Sequence, residues 1–371
     1  MNYHRMPIEI ESPEELGYDT IRYNLAESSF RDGTLGGFDP VGQLDLRSLV
    51  LCYGDHLGDP LLRAHITEGT KELRPEHVTV TPGAAAALFI VATTLLEPGD
   101  QLVVAKPNYA TNLETPYAIG AEVATIDLRF EDGFRLDLDR LADLITPATK
   151  YVSLTEPHNP TGTVLSLAEL EAVIGLVESR GCYLLLDETY RDLRFGAPLP
   201  LAADLSERAI SVSSMSKAYG LPGIRIGWVM TRDVQLQQRF LAAKEQMLIC
   251  GSTIDEAIAA HVLGQHDRVW PSIRAQIDSQ FATVKTWIDG NPGVEWVEPG
   301  GGVVGFPRLR EHVDVERFYR SLTDDHATMV GPGHWFDQSR RHFRLGFGWP
   351  TADELRGGLA AIDAAGATAG R

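Results

Sequence analysis

The sequence predicts an α/β protein: a large domain on a mostly parallel sheet with helices on both faces, and a smaller α+β domain. Three observations carry this. Short apolar, β-branched runs alternate with longer helical patterns through the middle of the chain, the pattern of a sheet covered on both faces. After about residue 280 the alternation gives way to Gly/Pro-rich segments around short strands. The 371 residues leave room for two domains at about 100–200 residues each.

The elements follow in order. Residues 2–42 show weak periodicity and read as an extended arm packed on the small domain. His77–Thr81 reads as a strand ended by Pro82-Gly83, and Ala84–Leu96 as a helix stopped at Pro98-Gly99. Gln101–Ala105, Lys150–Leu154, Tyr183–Leu186, Ile210–Ser213 and Ile224–Met230 are further apolar strands. Ser166-Leu-Ala-Glu169 is a capping box that starts a helix running to Arg180, with Gly181 at its end. Beyond them Val313–Asp325 reads as a helix, His342–Phe347 as a strand, and Asp353 onward as a terminal helix. The expected domains are an arm over 1–44, a large domain over 45–279 and a small one over 280–371.

Composition narrows the function classes. With 33 basic and 51 acidic residues the net charge is −18, spread without long like-charge blocks, so nucleic acid and anionic membranes are poor partners. Cys52, Cys182 and Cys250 are too few and scattered for a disulfide framework or a zinc site; no metal is expected, and free thiols fit a reducing cytoplasm. No run of 18 apolar residues and no signal-peptide pattern is present. The expectation is an acidic cytoplasmic protein.

Four motifs, each at a predicted strand end, carry the chemistry. Lys217 lies in Ser214-Met-Ser-Lys-Ala-Tyr-Gly-Leu-Pro-Gly-Ile-Arg225. A lone lysine is most often a solvated cation, but at a strand end of an open α/β sheet, flanked by hydroxyls and glycines, it can also form a Schiff base with an aldehyde cofactor. Asp187 closes the apolar run Tyr183-Leu-Leu-Leu and precedes Glu188-Thr-Tyr190. A buried aspartate needs a partner, and a protonated pyridine nitrogen is one. Asn159 sits in His158-Asn-Pro-Thr-Gly162, which alone is only a turn. Thr81-Pro-Gly-Ala84-Ala85 opens a helix whose free N–H groups can face a phosphate.

In this order the motifs resemble the class I/II, fold-type-I family of pyridoxal-phosphate enzymes, the aminotransferase-like group, from roughly residue 20 to the end. The resemblance implies pyridoxal 5′-phosphate as cofactor and an α-amino acid as substrate. It implies that Lys217 joins the cofactor and moves the Cα proton, and that Asp187 pairs with the ring nitrogen. Asn159 and Tyr190 hydrogen-bond the phenolic oxygen, and Asn159 also borders the substrate. Tyr109, in Lys106-Pro-Asn-Tyr, stacks on the ring. Ser214, Arg225 and the N–H groups of Ala84 and Ala85 hold the phosphate. Tyr53, ahead of Gly58-Asp-Pro-Leu-Leu-Arg63, is expected to reach the phosphate of a partner subunit, which makes the active unit a homodimer. Arg344, in His342-Phe-Arg-Leu-Gly-Phe347, matches the arginine that grips the substrate carboxylate.

The chain also departs from the family pattern. Many members have a Gly-x-Pro loop near the substrate, where this chain reads Tyr23-Asn-Leu-Ala-Glu27-Ser-Ser29. Glu27 is either a surface acid or a carboxylate facing a cationic or polar substrate side chain. Met247–Glu256 carries Asp255 and Glu256 but no basic residue, which argues against a dicarboxylate as preferred first substrate. Gly302-Val-Val-Gly-Phe-Pro-Arg308, Val330-Gly-Pro-Gly-His-Trp-Phe336 and Gly357-Gly-Leu-Ala-Ala-Ile362 look most like the capreomycidine-synthase branch, which belongs to secondary metabolism and includes cyclases acting on hydroxylated arginine. The expected activity is aminotransfer, with elimination, replacement or cyclisation as the alternative. A sensor built on this fold needs a DNA-binding module, and no such extension or basic patch precedes residue 20.

Overall fold

The computed structural model describes residues 1–39 and 42–370. Pro40, Val41 and Arg371, which fall in the expected arm and small domain, lie outside the described residues. The strands in chain order are β1 (Tyr23–Leu25), β2 (Val78–Thr81), β3 (Gln101–Lys106), β4 (Glu122–Asp127), β5 (Thr149–Thr155), β6 (Tyr183–Asp187), β7 (Ala209–Ser214) and β8 (Gly227–Met230). They are followed by β9 (Val294–Glu295), β10 (Val304–Gly305), β11 (Arg308–Leu309), β12 (Thr328–Pro332) and β13 (Phe343–Gly346).

Seven strands form the main sheet in the order β2-β8-β7-β6-β5-β3-β4. Only β8 runs antiparallel to its neighbours, β2 and β7; the other pairings are parallel. β6 and β7 are buried along nearly their whole length, as expected for strands covered on both faces. The C-terminal ends of β2, β3, β5, β6 and β7 therefore share one edge, and the reversed β8 brings its N-terminal Gly227 to that same edge, opposite Thr81 and Ser214. That edge is where an open α/β sheet binds ligands.

The helices start and stop where their end residues direct. Ser166 accepts a bond from the Glu169 N–H and Glu169 returns one to the Ser166 N–H, opening Leu167–Arg180; Gly181 ends it in the left-handed conformation. The expected strand over 224–230 is shorter, because Pro222–Ile224 closes a 3-10 turn and Arg225 follows with φ +51°. Residues 279 and 280, where the sequence divides large from small domain, lie inside the continuous helix His266–Gly290.

The second sheet has the order β1-β12-β13-β10, and β1 pairs parallel with β12. The first part of the chain is thus stitched to the C-terminal part by this pairing. The expectation of an extended arm needs correction, because Pro7–Ile10 and Pro13–Leu16 are helical turns. Each begins with proline, whose fixed φ suits a first helical turn. Among the described residues no helix is long and apolar enough to cross a membrane.

Candidate active site

A cavity of about 720 Å³ opens at the C-terminal edge of the main sheet, and eleven of the twelve residues singled out by the sequence line it. They are Ala84, Ala85, Tyr109, Asn159, Asp187, Tyr190, Ser214, Lys217, Arg225, Arg344 and Glu27. Tyr53 is the exception: its side chain is 82% exposed and lies outside the cavity.

Asp187 ends β6 and is buried; its Oδ1 accepts from the Thr189 N–H at 3.1 Å and the Thr189 hydroxyl at 2.6 Å. Burial pushes its carboxyl above the usual range, while these bonds and the charge of Lys217 pull it back. Lys217 follows β7. Burial lowers its ammonium from the ordinary value, and Glu27 opposes that shift. Tyr190 is buried beside Arg344, and burial pushes its phenol up to about 12.

Arg344 comes from β13 and is 5% exposed. It donates to Asn159 Oδ1 at 3.3 Å and to the Ala26 carbonyl at 2.7 Å, while its Nε is buried without a partner. A buried cation with an unused donor suits an anionic ligand.

A second anion cradle lies at the start of the helix Gly83–Leu95, where Ala84 and Ala85 stand in the first turn and expose their N–H groups. Arg225 packs over that turn: a Cβ at Gly83 would come within 2.4 Å of its Nη2. Gly227 makes the approach possible from the other side, since a Cβ there would lie 2.6 Å from the Ala84 nitrogen. Ser214 adds a hydroxyl to the same wall.

The donor set fits pyridoxal phosphate. Arg225, Ser214 and the helix start would hold the phosphate, Asp187 the ring nitrogen, and Asn159 and Tyr190 the phenolic oxygen. Tyr109 would cover the ring face and Lys217 would join the aldehyde. The chain belongs to the family aminotransferase class I and II, whose model matches residues 43–362, and it is a pyridoxal-phosphate-dependent enzyme. It is 33% identical over 337 residues to capreomycidine synthase of Streptomyces vinaceus, covering 89% of this chain and 85% of that one. It is 31% identical over 329 residues to the arginine–pyruvate transaminase AruH of Pseudomonas aeruginosa, covering 83% and 81%. The solved structure of the PLP-dependent cyclase OrfR superposes with a TM-score of 0.88 at 26% identity, covering 98% and 97%.

The cradle yields a direct test. Gly83 has φ +78°, which a side chain strains, and an alanine there also displaces Arg225. Gly83→Ala is expected to weaken pyridoxal-phosphate binding by about 10–100-fold, read by absorbance titration. An unchanged affinity would remove Arg225 from the phosphate site.

The sequence missed one wall of the cavity. Glu9, Glu14 and Glu15 of the N-terminal segment line it, as does Glu114. Glu9 Oε2 is buried without a partner, and burial, with Glu114 nearby, raises its carboxyl. Glu11 ties the segment to the C-terminal part of the chain by accepting from Trp335 Nε1 at 2.7 Å and contacting His334 Nε2 at 2.8 Å. Glu27 accepts from the Tyr18 hydroxyl at 3.2 Å and Asn24 Nδ2 at 3.4 Å. Asp255 lies in the first turn of the helix Thr253–Leu263 and does not line the cavity.

Proposed function

We propose that this enzyme acts at Cα of an α-amino acid with a cationic side chain, as an aminotransferase working as a homodimer in the cytoplasm. The observation that carries the substrate class is the excess of carboxylates in the cavity lining: Glu9, Glu14, Glu15, Glu27 and Glu114 line it together with Arg344, and Glu27 and Glu14 act on the Arg344 charge. An amino acid whose carboxylate pairs with Arg344 and whose side chain ends in guanidinium or ammonium complements both kinds of charge. The arginine in the name of the Pseudomonas relative supports this. The exposed apolar run Val50-Leu51 beside Tyr53 supports a second copy, and the three free cysteines support a reducing compartment.

The residues divide the work. Arg344 holds the α-carboxylate and thereby presents the Cα–H bond to the Lys217 side of the cavity. Lys217, with its ammonium lowered by burial, has more neutral amine available to take that proton. Asp187 keeps the ring nitrogen protonated, and Tyr190 and Asn159 steady the phenolic oxygen. Bound pyridoxal phosphate supplies the electron sink for the charge left at Cα.

The same residues serve cyclisation or elimination, and the synthase and cyclase among the similar proteins favour that second reading. Products separate the two. Arginine with pyruvate should give a keto acid and alanine; a ring-closed product, or loss of a β- or γ-substituent with the nitrogen released as ammonia and no alanine formed, establishes the alternative.

The acidic wall is tested by Glu9→Gln and Glu27→Gln. Each should lower kcat/KM for arginine by about 10–100-fold, the size of one charged hydrogen bond, and that for norleucine by less than about threefold. Equal losses on both substrates would make these residues structural and end the cationic-substrate reading.

A further inference from the structure

Away from the cavity, three charged side chains are buried under the loop that carries Tyr53. Lys244 is fully buried, Glu256 is 4% exposed and Arg63 7%. Each holds main chain of the loop. Lys244 Nζ donates to the His56 carbonyl at 2.6 Å. Arg63 Nε donates to the Gly58 carbonyl at 2.9 Å, and its Nη2 pairs with Asp55 at 2.9 Å. Glu256 Oε2 accepts from the Asp59 N–H at 2.6 Å. Gly251 lets the chain pass over Glu256, because a Cβ there would meet Oε1 at 2.0 Å. The Leu57 carbonyl in turn accepts from the Val80 N–H at 2.8 Å, in the strand that leads to Gly83. The loop is thus locked from below, while Tyr53 points to solvent.

Burying charges is costly, and an apolar replacement of similar volume is often neutral or stabilising. What an apolar side chain cannot do is hold a carbonyl in one place. We infer that Lys244, with Glu256 and Arg63, positions the Tyr53 loop so that its hydroxyl meets the cofactor phosphate of a second copy of this chain. Lys244 is a positioning residue: it acts through Tyr53 in the partner's site, not in its own. The inference rests on the dimer reading of Tyr53 given above.

The test uses purified holoenzyme and pyridoxal phosphate as probe. Lys244→Met should remain dimeric by gel filtration and bind pyridoxal phosphate about tenfold more weakly, the worth of one buried hydrogen bond. Tyr53→Phe should show a similar loss, and the double variant no more than either alone. Hybrid dimers of Lys217→Ala and Lys244→Met subunits separate the two ideas. In the hybrid the site that keeps Lys217 receives Tyr53 from a subunit with an intact clamp, so it should bind with wild-type affinity. A dimeric Lys244→Met protein with unchanged affinity, or additive effects in the double variant, would overturn the clamp. A hybrid as weak as the Lys244→Met homodimer would instead overturn action across the subunits. Should Lys244→Met not fold, Glu256→Gln, which keeps the shape and removes the charge, takes its place, with about a threefold loss expected and an unchanged affinity overturning the clamp.

Discussion

Lys217→Ala is expected to lower turnover of every amino-acid substrate by about 10⁴-fold or more, because one change removes both the covalent anchor and the proton-transfer group. Lys217 lines the cavity beside Asp187, and its lowered ammonium pKa follows from burial. Among the described residues no other lysine lines that cavity, so no neighbour there takes its place. Arg225, Ser214 and the Gly83–Leu95 helix start, which would hold the phosphate, stay intact in the variant. It should therefore still bind pyridoxal phosphate while losing the visible absorbance of the lysine-bound cofactor. Turnover assays and absorbance spectra of the dialysed variant check both points. Residual turnover within about tenfold of wild type would place the proton transfer elsewhere.

Arg344→Ala is expected to have the next largest effect. It removes the proposed carboxylate partner from a buried position, and breaking such a pair costs about 3–5 kcal/mol, or about 10²–10⁴-fold in kcat/KM. Arg344→Lys should recover only part of this, since an ammonium lacks the planar fork. Substrate-dependent spectral changes measured against concentration check it: the concentration needed should rise steeply, while pyridoxal-phosphate affinity stays near wild type. A loss confined to cofactor affinity would mean that Arg344 supports Asn159, to which it donates, and does not hold substrate.

Much of the fold was legible because apolar runs mark buried strands. β3, β5, β6 and β7 lie within a residue or two of the expected positions, and the capping box at Ser166 formed as the spacing required. Strand direction left no trace in the residue pattern, so the antiparallel β8 emerged only from its pairing. The helix His266–Gly290 crosses the expected domain boundary, because a helix can pass between two packed units without a change in composition.

The site was legible for a related reason. Asp187, Asn159 and Lys217 follow apolar strands, where a polar residue at the sheet edge needs an explanation. Glu9 and Glu14 had no such context. They sit on four-residue helical turns, too short for any period, and reach the cavity only because Glu11 pins their segment to Trp335 and His334. Lys244 and Glu256 stand on ordinary helical stretches, and their burial beneath the Tyr53 loop depends on contacts nearly 200 residues apart in the chain, Lys244 with His56 and Glu256 with Asp59.

The central claim is that this cavity is a pyridoxal-phosphate site built around Lys217. Reducing the wild-type holoenzyme with borohydride and mapping its peptides by mass tests it most directly. The account predicts one pyridoxyl-modified peptide, with the modification on Lys217. Modification of a different lysine, or a chain left unmodified after reconstitution, would contradict it.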